Sequence, residues 1–477
     1  MFAQAKSRVK WNGKLSTRLQ NLHGVLQGGV LSPTLFKIFL SDLTEYLDSG
    51  NGISVADIIV FYLLFADDLI LVAQTSSGLQ SLISGLEAFC RQWEIEVNLV
   101  KTKYTIFNKQ YATCQDIKTF SYNNDAIDKT DEYKYVGTVF SNSRNRFQKN
   151  FDSKIEKAKR AIYAARKTAR EAAGNQLSPE LYFKIFDTQI RPILDFGCEV
   201  WCNGEVHYGL EKVHTDYMKQ TLGVKQQTTH LTLYGDTGRY PLVIKHQEMV
   251  LKYWFRLLSL NNDNPLRKMY SDLVLLDAQG HNTWCRGVKH ILKSVNHEHL
   301  WHSQDKLDDV RVHKTLMHGI KIGLLETYKT HWENEVKNTV KHPKLRTYNL
   351  YKTSHEKEPC VFENFDNMYK RCISKFRVSS HRLRIETGRY ENLPIEERLC
   401  VYCTGEHIDD EIHLLTECKY HNEERKLLFE CAKQNIPGFS ELQDSKDIFI
   451  QIMSTHIKSV LICLGKFLYS CFKKRGI

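Results

Sequence analysis

Two short apolar runs flank a pair of acidic residues near the start of the chain. Residues 58–73 read IIVFYLLFADDLILVA, with the carboxylates of Asp67 and Asp68 between the runs. Each run is rich in β-branched and aromatic residues, which favours buried strands, and the tight connection predicts a hairpin whose turn holds both acids. A charged pair among core strands is unfavourable unless a divalent cation compensates it. A surface hairpin with Asp-Asp in its turn accounts for the same residues equally well.

A second patterned stretch precedes this hairpin. Residues 24–43 read GVLQGGVLSPTLFKIFLSDL, in which Ser32 and Pro33 occupy positions typical of a helix N-cap and a first helical residue. The glycines before Ser32 would let a ligand approach the backbone closely. The helix that follows has one apolar face, made by Leu35, Phe36, Phe39, Leu40, Leu43 and Leu47. A glycine-rich loop of this kind is weak evidence by itself, so its meaning depends on the acidic pair that follows.

Further along, the pattern alternates between helix and strand and then becomes helical. Ser76 or Ser77 can cap a helix, and residues 97–109 and 133–140 are patterned as strands. The apolar face of that helix is Leu79, Leu82, Ile83, Leu86, Phe89 and Trp93. From about residue 145 the helical periodicity dominates. The sequence therefore predicts an α+β fold, with mixed helix and strand over residues 1–142 and helices thereafter.

One predicted helix after residue 145 is strongly basic. Its apolar positions are Ile155, Ala158, Ile162 and Ala165, and its basic residues are Lys154, Lys157, Lys159, Arg160, Arg166, Lys167 and Arg170. Charge runs on helices are usually solvated faces. A basic face of this kind also fits the phosphate backbone of a nucleic acid, for which Lys157, Arg160, Arg166 and Lys167 are the candidate contacts.

The bulk composition adds three constraints. The chain has 477 residues, a net charge of +11 and a pI near 8.9, so an anionic partner is plausible. Thirteen scattered cysteines, an odd number, indicate reduced thiols rather than a disulfide framework, and we expect an intracellular protein of the nucleus or cytoplasm. The N-terminus lacks the apolar core of a signal peptide, and the apolar tail at residues 460–472 is too short to span a bilayer. The tail is therefore predicted to be a buried helix.

A cysteine–histidine cluster lies near the C-terminus. Cys400, Cys403, His413 and Cys418 follow the pattern C-x2-C-x9-H-x4-C, which supplies the four N and S ligands that Zn²⁺ prefers. His407 and His421 are rival ligands, and coincidence in a cysteine-bearing chain is the alternative. The spacing predicts a structural zinc site that is closed to substrate.

Taken together and in this order, QGGVLSP at residues 27–33 and FADD at residues 65–68 resemble the B and C motifs of the reverse transcriptase palm. The form is that of LINE-type (non-LTR) retrotransposons. Residues 181–202 resemble a segment downstream of the palm in the same proteins. Residues 377–390, with the cysteines that follow, resemble their C-terminal zinc-binding segment. The resemblance therefore implies a partial polymerase palm, an antiparallel sheet with helices, followed by a helical thumb or connector and a small zinc-binding segment.

This resemblance implies an RNA-directed DNA polymerase, a nucleotidyltransferase that binds an RNA template and a DNA primer. Such a palm uses two Mg²⁺ ions bridged by carboxylates from its A motif and from the first aspartate of its C motif, which matches Asp67, with Asp68 beside it. The other implied roles concern nucleotide and primer. Gln27, Gly28 and Ser32 line the template and incoming nucleotide, Lys101 and Lys103 meet the triphosphate or protonate pyrophosphate, and Tyr135 and Gly137 form the primer grip.

The family's A motif lies upstream of its B motif, and the 23 residues before Gly24 include no Asp or Glu. The family's fingers have no counterpart either. We therefore expect a C-terminal fragment, or a gene model started at an internal methionine, that does not polymerise DNA efficiently. The alternative is a non-catalytic relic that binds nucleic acid; an unrelated helical scaffold would make the ordered motifs coincidental. Open strand edges also predict poor solubility.

These patterns divide the chain into five expected segments. They are a partial palm at 1–142, a thumb-like helical region at 143–250, a helical connector at 251–395, a zinc-binding segment at 396–425 and a helical tail at 426–477.

Overall fold

The computed structural model of this chain describes residues 6–20, 24–26, 28–107, 119–143, 145–174, 177–307, 309–403 and 406–476. By its internal contacts the chain divides into two compact units. Unit 1 comprises residues 1–150 and 262–275, and unit 2 comprises residues 151–261 and 276–477. Most of the thumb-like and connector segments, together with the zinc-binding and tail segments, thus fall in unit 2. Their separate boundaries stay predictions.

The strands of unit 1 are short and pair two by two. They are β1 Lys6–Ser7, β2 Lys10–Trp11, β3 Lys14–Leu15, β4 Leu19–Gln20, β5 Ile53–Val55, β6 Ile58–Val60, β7 Tyr62–Phe65, β8 Asp68–Leu71, β9 Lys103–Tyr104, β10 Ser121–Tyr122, β11 Asp125–Ala126, β12 Asp128–Lys129, β13 Glu132–Tyr135 and β14 Thr138–Ser141. The antiparallel pairs are β1–β4, β2–β3, β5–β6, β7–β8, β10–β11 and β13–β14, whereas β9 and β12 are parallel.

The antiparallel palm sheet expected from the sequence is therefore present only as separate two-stranded ladders within the described residues. Strands of two to four residues offer few ladder hydrogen bonds, and isolated hairpins are marginally stable. Tight local turns close several of them. In the turn between β10 and β11, for example, Asn123 and Asn124 both adopt positive φ angles of 49° and 68°.

The core of unit 1 is built on three of its helices, which are α1 Ser32–Phe39, α2 Leu43–Tyr46 and α3 Ser76–Gln92. The prediction of one helix from Leu35 to Leu47 is wrong, because α1 ends at Phe39 and α2 begins at Leu43. The cap of α3 is Thr75, whose hydroxyl accepts from the Gly78 backbone N–H at 3.0 Å, one residue before the predicted cap. The buried cluster is Leu43, Leu47, Leu82, Ile83, Phe89, Cys90, Phe120, Tyr122 and Ile127. At Gly85 a Cβ atom would lie 2.2 Å from the Tyr46 carbonyl, so only glycine lets α2 and α3 approach this closely.

The rest of the described chain is helical, as predicted. Its helices are α4 Gln148–Ala173, α5 Pro179–Ile185, α6 Arg191–Asp195, α7 Cys198–Trp201, α8 Tyr208–Leu222, α9 His230–Thr237, α10 Leu242–Leu258, α11 Pro265–Ala278, α12 Cys285–Ser294, α13 His299–His302, α14 Val310–Lys337, α15 Tyr348–Tyr351, α16 Pro359–Phe362, α17 Asn367–Arg377, α18 Arg384–Thr387, α19 Asn422–Asn435, α20 Ser445–Met453 and α21 Lys458–Lys474. A π-helical turn, Phe186–Ile190, joins α5 to α6, and Pro192 lies in the first turn of α6, where its missing N–H is tolerated.

The core of unit 2 contains large aromatic side chains and one face of the tail helix. Trp254 and Trp332 are fully buried, and the Trp332 indole donates to the Leu231 carbonyl at 2.7 Å. The tail helix α21 packs against α17 and buries Val460, Leu461, Leu464, Phe467, Leu468, Cys471 and Phe472. The prediction of a buried tail helix is therefore confirmed.

In the part of the chain that the structure describes, no single helix is both long enough and apolar enough to cross a bilayer. Only α20 and α21 taken together reach that length and composition, and they meet at an angle of 115°.

Candidate functional site

The acidic pair lies at the tip of the β7–β8 hairpin. Phe65 pairs with Asp68, and Ala66 and Asp67 form the turn, in which Ala66 adopts a left-handed φ of 54°. The predicted turn therefore holds Asp67, whereas Asp68 is the first residue of β8. Both carboxylates are exposed to solvent.

The prediction that the two flanking runs are buried strands is wrong. Leu63 and Phe65 are 46% and 59% exposed. Phe61 and Tyr62 of the first run and Leu69 and Leu71 of the second are partly buried and pack against the core of unit 1. Both runs do form strands, but among the described residues β7 pairs with β8 alone, so its other edge carries no strand. The acids thus need no compensating cation for stability, and they remain free to bind one.

A second hairpin of unit 1 carries the candidate primer grip. In β13–β14, Tyr135 pairs with Thr138, and Val136 and Gly137 close the turn with positive φ angles of 44° and 84°. Burial raises the pKa of the Tyr133 and Tyr135 phenols, and the negative charge of Asp68 raises both further. The charge of Asp68 therefore acts on both tyrosines of the hairpin that carries the candidate primer grip.

The glycine loop before α1 is shaped by a serine. Gly28 has a left-handed φ of 82°, and the Ser32 hydroxyl donates to the Leu26 carbonyl at 2.7 Å. The predicted N-cap role of Ser32 is wrong, because Leu31 occupies that position and Ser32 begins the helix with its side chain buried. The Ser32 hydroxyl therefore holds the loop instead of facing a ligand. Gln27 lies outside the described residues.

The two candidate lysines differ in their surroundings. Lys101 is exposed in a turn, where its backbone N–H donates to the Asn98 side-chain oxygen at 3.2 Å. Lys103 is in β9, where its ammonium pairs with the Asp128 carboxylate at 2.6 Å. A triphosphate would have to compete with Asp128 for Lys103, whereas Lys101 has no ion pair among the described residues.

The basic helix α4 divides into buried and exposed cations. The sequence grouped Arg166 with the exposed residues, and the structure corrects this. Its guanidinium stacks on the rings of Tyr182 and Tyr217, 4.9 and 4.5 Å from the centroids, and donates to the Thr221 hydroxyl at 3.0 Å. Lys154 is also buried; it donates to the Phe196 carbonyl at 2.6 Å, and burial lowers its pKa to about 8.

The remaining candidates on α4 stay near solvent. Lys157 is half-buried, and Arg160 and Lys167 are exposed. Arg160 lies 3.6 Å from Glu156 and Lys167 lies 3.9 Å from Glu171. Such exposed ion pairs within one helix are weak, so a phosphate group can replace the carboxylate as the partner of the cation. These three residues stay the predicted backbone contacts.

The four cysteine and histidine residues singled out by spacing converge in unit 2. The Cys400 and Cys418 sulfurs are 3.9 Å apart, and the Cys403 sulfur is 3.4 Å from His413 Nε2. All four ligand atoms lie within 4.8 Å of one another. Zn–S bonds of about 2.3 Å and Zn–N bonds of about 2.0–2.1 Å at tetrahedral angles separate neighbouring ligands by roughly 3.5–3.8 Å. The donor set therefore fits a zinc ion.

Local structure explains this convergence. The Cys400 N–H donates to the His407 carbonyl at 2.8 Å, which folds the chain back after the two cysteines. His413 begins a π-helical turn, His413–Glu417, that ends just before Cys418. The Arg425 side chain donates to the Leu414, Leu415 and Cys418 carbonyls, and it so supplies hydrogen-bond donors to the carbonyl groups at the end of that turn.

The two rival histidines have other partners. The imidazole of His421 is buried, and its Nε2 accepts from Arg475 Nε at 2.9 Å, so it lies outside the set. His407 is half exposed and stacks on His413 with ring centroids 5.2 Å apart. His407, His413 and Glu417 form an overlapping trio. We prefer the buried set with three sulfurs, in which Glu417, 3.4 Å from His413 Nδ1, orients the histidine.

Arg475 is the member of this cluster that sequence reasoning missed. Its guanidinium lies 3.5 Å from the Cys418 sulfur and 3.8 Å from the Cys400 sulfur. The hydrogen bond from Cys400 and, to a lesser extent, the charge of Arg475 lower the pKa of Cys418 to about 7, against the effect of burial. A thiolate is therefore accessible near neutral pH, as metal binding requires. No motif marks an arginine so far along the chain.

The family model of reverse transcriptase (RNA-dependent DNA polymerase) matches residues 2–140. The chain is 24% identical over 190 residues to the RNA-directed DNA polymerase from mobile element jockey of Drosophila funebris, an alignment that covers 37% of this chain and 19% of that protein. It is 34% identical over 125 residues to the retrovirus-related Pol polyprotein from type-2 retrotransposable element R2DM of Drosophila melanogaster, covering 25% and 12%.

A third relative is the putative uncharacterized transposon-derived protein F52C9.6 of Caenorhabditis elegans. The identity is 24% over 164 residues, which covers 34% of this chain and 56% of the worm protein. The matched part of the chain thus spans a fifth or less of the length of the two Drosophila proteins. The family match includes the glycine loop, the acidic hairpin and most of the tyrosine hairpin.

Proposed function

We propose, from the premise that residues 2–140 are a reverse transcriptase segment of the LINE type, that unit 1 presents the metal-, template- and primer-facing hairpins of a reverse transcriptase palm. The observation that carries the proposal is the solvent-exposed pair Asp67 and Asp68 at the tip of the β7–β8 hairpin, within the segment that the family model matches. The charge of Asp68 also acts on Tyr133 and Tyr135 of the β13–β14 hairpin, and each hairpin resembles a motif that the family uses for a different part of one reaction.

That reaction joins a primer 3′-hydroxyl to the α-phosphate of a nucleotide and releases pyrophosphate. Bound Mg²⁺ stabilises the charge on the attacking and leaving oxygens. Asp67 and Asp68 suit such an ion, because Mg²⁺ prefers one or two carboxylates together with water and phosphate oxygens, and both side chains are exposed. In our proposal Asp67 holds the ion, Lys101 attracts the triphosphate, and Tyr135 with Gly137 supports the primer.

We further propose that this 477-residue polypeptide binds template and primer without extending the primer. Residues 1–23 contain no acidic side chain, so the third carboxylate that positions a pair of metal ions has no counterpart there. Lys157, Arg160 and Lys167 on α4 remain accessible to a phosphate backbone, which favours nucleic-acid binding as the retained activity. Both substrates are nucleic acids, so we place the protein inside the cell, in the nucleus or cytoplasm.

The cysteine–histidine cluster receives a structural role in this proposal. Cys400, Cys403, His413 and Cys418 would hold one Zn²⁺ with all four positions filled by protein, so the ion would be closed to substrate. Its contribution would be to the stability of the C-terminal part of unit 2.

The experiment that tests the proposed function measures extension and binding separately. The purified chain, Asp67→Asn and the control Asp57→Asn, which alters the turn of the β5–β6 hairpin, are incubated with a labelled oligo(dT) primer on poly(rA), dTTP and Mg²⁺ or Mn²⁺. Binding of the same primer–template is followed by fluorescence anisotropy over a salt series. We expect binding that weakens with salt in all three proteins, and no extension by any.

Manganese binding, measured by electron paramagnetic resonance, is expected to fall in Asp67→Asn and to be unchanged in Asp57→Asn. Asp67-dependent extension by the wild-type chain would overturn the proposed inactivity. Lack of affinity for primer–template would overturn the proposed function itself.

A further inference from the structure

Unit 2 contains a groove of about 640 Å³ that none of the sequence motifs points to. Its walls come from α5, from the connection between α9 and α10, from the middle of α14 and from the segment before α16. These segments are up to about 180 residues apart in the chain, so the groove is a product of the tertiary fold. A volume of this size accommodates a ligand of one or a few nucleotides.

The groove is electropositive. Six of its lining residues are Lys or Arg and three are Asp or Glu. Arg191 and Arg239 pair with Asp187, and Lys245 pairs with Glu248 at 3.0 Å. The cations that remain are Lys184, Lys321 and Lys357, which are exposed and have no ion pair among the residues that the structure describes. Three separate elements thus each supply one lysine to the same space.

The floor of the groove is held in place by a buried chain of hydrogen bonds. Arg239 donates through Nε to His214 Nε2 at 3.2 Å and through its two terminal nitrogens to Asp187. His214 is fully buried, and its Nδ1 donates to Glu211 at 2.9 Å, which fixes the ring so that Nε2 accepts. These hydrogen bonds hold the Arg239 guanidinium in one position among the residues that line the groove.

Aromatic rings line the same space. Phe183 is buried with its ring centroid 6.0 Å from that of Phe362, whereas Phe362 and Tyr240, the latter in the α9–α10 connection, are half-buried and reach the groove. The Lys357 ammonium lies over the Phe362 ring at 5.4 Å. Cations interleaved with aromatic faces are the features by which proteins hold single-stranded nucleic acid, the lysines contacting phosphates and the rings stacking on bases.

We propose that this groove binds a single strand of nucleic acid, with Lys184, Lys321 and Lys357 contacting its phosphates. The proposal rests on the proposed function, because it assumes that the chain handles nucleic acid, and it assigns to unit 2 a single-strand site apart from the hairpins of unit 1. An acidic peptide would use the same cations but has no base to stack on the Phe362 and Tyr240 rings, and a free nucleotide has only one base for the two rings.

The test uses the full chain and a triple variant, K184Q/K321Q/K357Q. Binding of a fluorescein-labelled 12-nucleotide oligo(dT) and oligo(U) is measured by anisotropy between 50 and 300 mM salt. Each phosphate contact on a single strand contributes about 0.7 to the slope of log affinity against log salt, so the triple variant should lower the slope by about 2. K184R/K321R/K357R should bind as the wild type does.

The matched control is K293Q/K314Q/K433Q, which removes the same charge from exposed lysines outside the groove. Loss of strand binding in the groove variant but not in the control supports the proposal. An equal loss in both variants would mean general electrostatic attraction and would overturn it, as would competition by poly-glutamate or dTTP as effective as by unlabelled strand. If K184Q/K321Q/K357Q binds the oligonucleotides and the primer–template as the wild type does, the proposed groove site is wrong and the proposed function stands. If the wild-type chain binds neither ligand, the proposed function itself is wrong.

Discussion

The guanidinium Nη2 of Arg475 lies 3.5 Å from the sulfur of Cys418, and the two residues are 57 positions apart in the chain. Its Nη1 donates to Asp409 at 2.7 Å. Three thiolates and a neutral histidine around Zn²⁺ would leave a net negative charge, which a neighbouring arginine offsets. Because Arg475 caps the end of α21, metal binding and the docking of that helix are physically coupled.

The first prediction concerns the ligand set. Replacing Cys403 by serine removes one of the four ligands, so Zn²⁺ affinity should fall steeply and the protein should lose the visible absorption of a tetrahedral Co²⁺–thiolate site. Competition against a chromogenic chelator measures the affinity. Cys431→Ser, a half-buried cysteine on α19 outside the cluster, should retain one zinc per chain. Wild-type affinity in Cys403→Ser would contradict the assignment.

The second prediction isolates Arg475. Arg475→Gln keeps all four ligands but removes the cation beside two of their sulfurs, and loss of such an outer contact lowers metal affinity by roughly 10- to 100-fold. Lys474→Gln is the control, since it removes an adjacent charge that pairs with Glu424 at 3.1 Å. The same chelator competition measures both variants. Equal zinc affinities in the two variants would show that Arg475 contributes no more than its general charge.

A third prediction concerns a buried ion pair in unit 2. Asp236 accepts from Arg377 twice at 3.0 Å and from the Tyr348 hydroxyl at 2.9 Å, and both charged residues are almost fully buried. Asp236→Asn leaves the guanidinium without its main partner, so the free energy of unfolding in urea should fall by about 3–5 kcal/mol.

The control for that pair is Glu156→Gln on α4. Glu156 is exposed and lies 3.6 Å from Arg160, so its loss should change the free energy of unfolding by less than about 0.5 kcal/mol. A loss below about 1 kcal/mol for Asp236→Asn would mean that the buried pair is not important for stability.

The fourth prediction is a pH dependence. His355 is buried with Nε2 donating to the Arg239 carbonyl at 3.1 Å, and burial lowers its pKa to about 4. The unfolded state, with a histidine pKa near 6.5, binds a proton first as the pH falls. The contribution of His355 to stability is therefore complete above pH 6.5 and is lost between pH 6.5 and 4, at about 1.4 kcal/mol per unit of pKa difference.

His355→Gln should flatten that part of the profile of unfolding free energy against pH. His302→Gln, at an exposed histidine on α13, is expected to leave the profile unchanged. Parallel wild-type and His355→Gln profiles between pH 4 and 6.5 would refute the prediction.

Local signals in the sequence were sufficient for the ligand cluster and for the acidic hairpin. The prediction of one strand over residues 133–140 is wrong, because these residues form the β13–β14 hairpin. The spacing of Cys400, Cys403, His413 and Cys418 predicted a set of atoms that the structure brings within 4.8 Å. The helical spacing of apolar residues in α3 predicted Leu82, Ile83 and Phe89 on its buried side, and the apolar composition of residues 460–472 predicted the buried helix α21.

Properties that depend on distant partners were not predictable. Arg166 has the same local pattern as Arg160, and only the rings of Tyr182 and Tyr217 withdraw it from solvent. The composition of β7 is that of a buried strand, yet Leu63 and Phe65 are exposed, and β8 is its one neighbouring strand in the part of the chain that the structure describes. The groove lysines and Arg475 likewise come together only through the packing of separate helices.

The most direct test of the central claim is to locate the primer end on the protein. A primer with 4-thiothymidine at its 3′ terminus is annealed to an RNA template, bound to the full chain with Mn²⁺, irradiated and analysed by mass spectrometry. We predict cross-links within residues 62–71 and 132–141, the acidic and tyrosine hairpins of unit 1, and their reduction in Asp67→Asn. Cross-links confined to other parts of the chain would contradict the assignment of these hairpins as a reverse transcriptase palm.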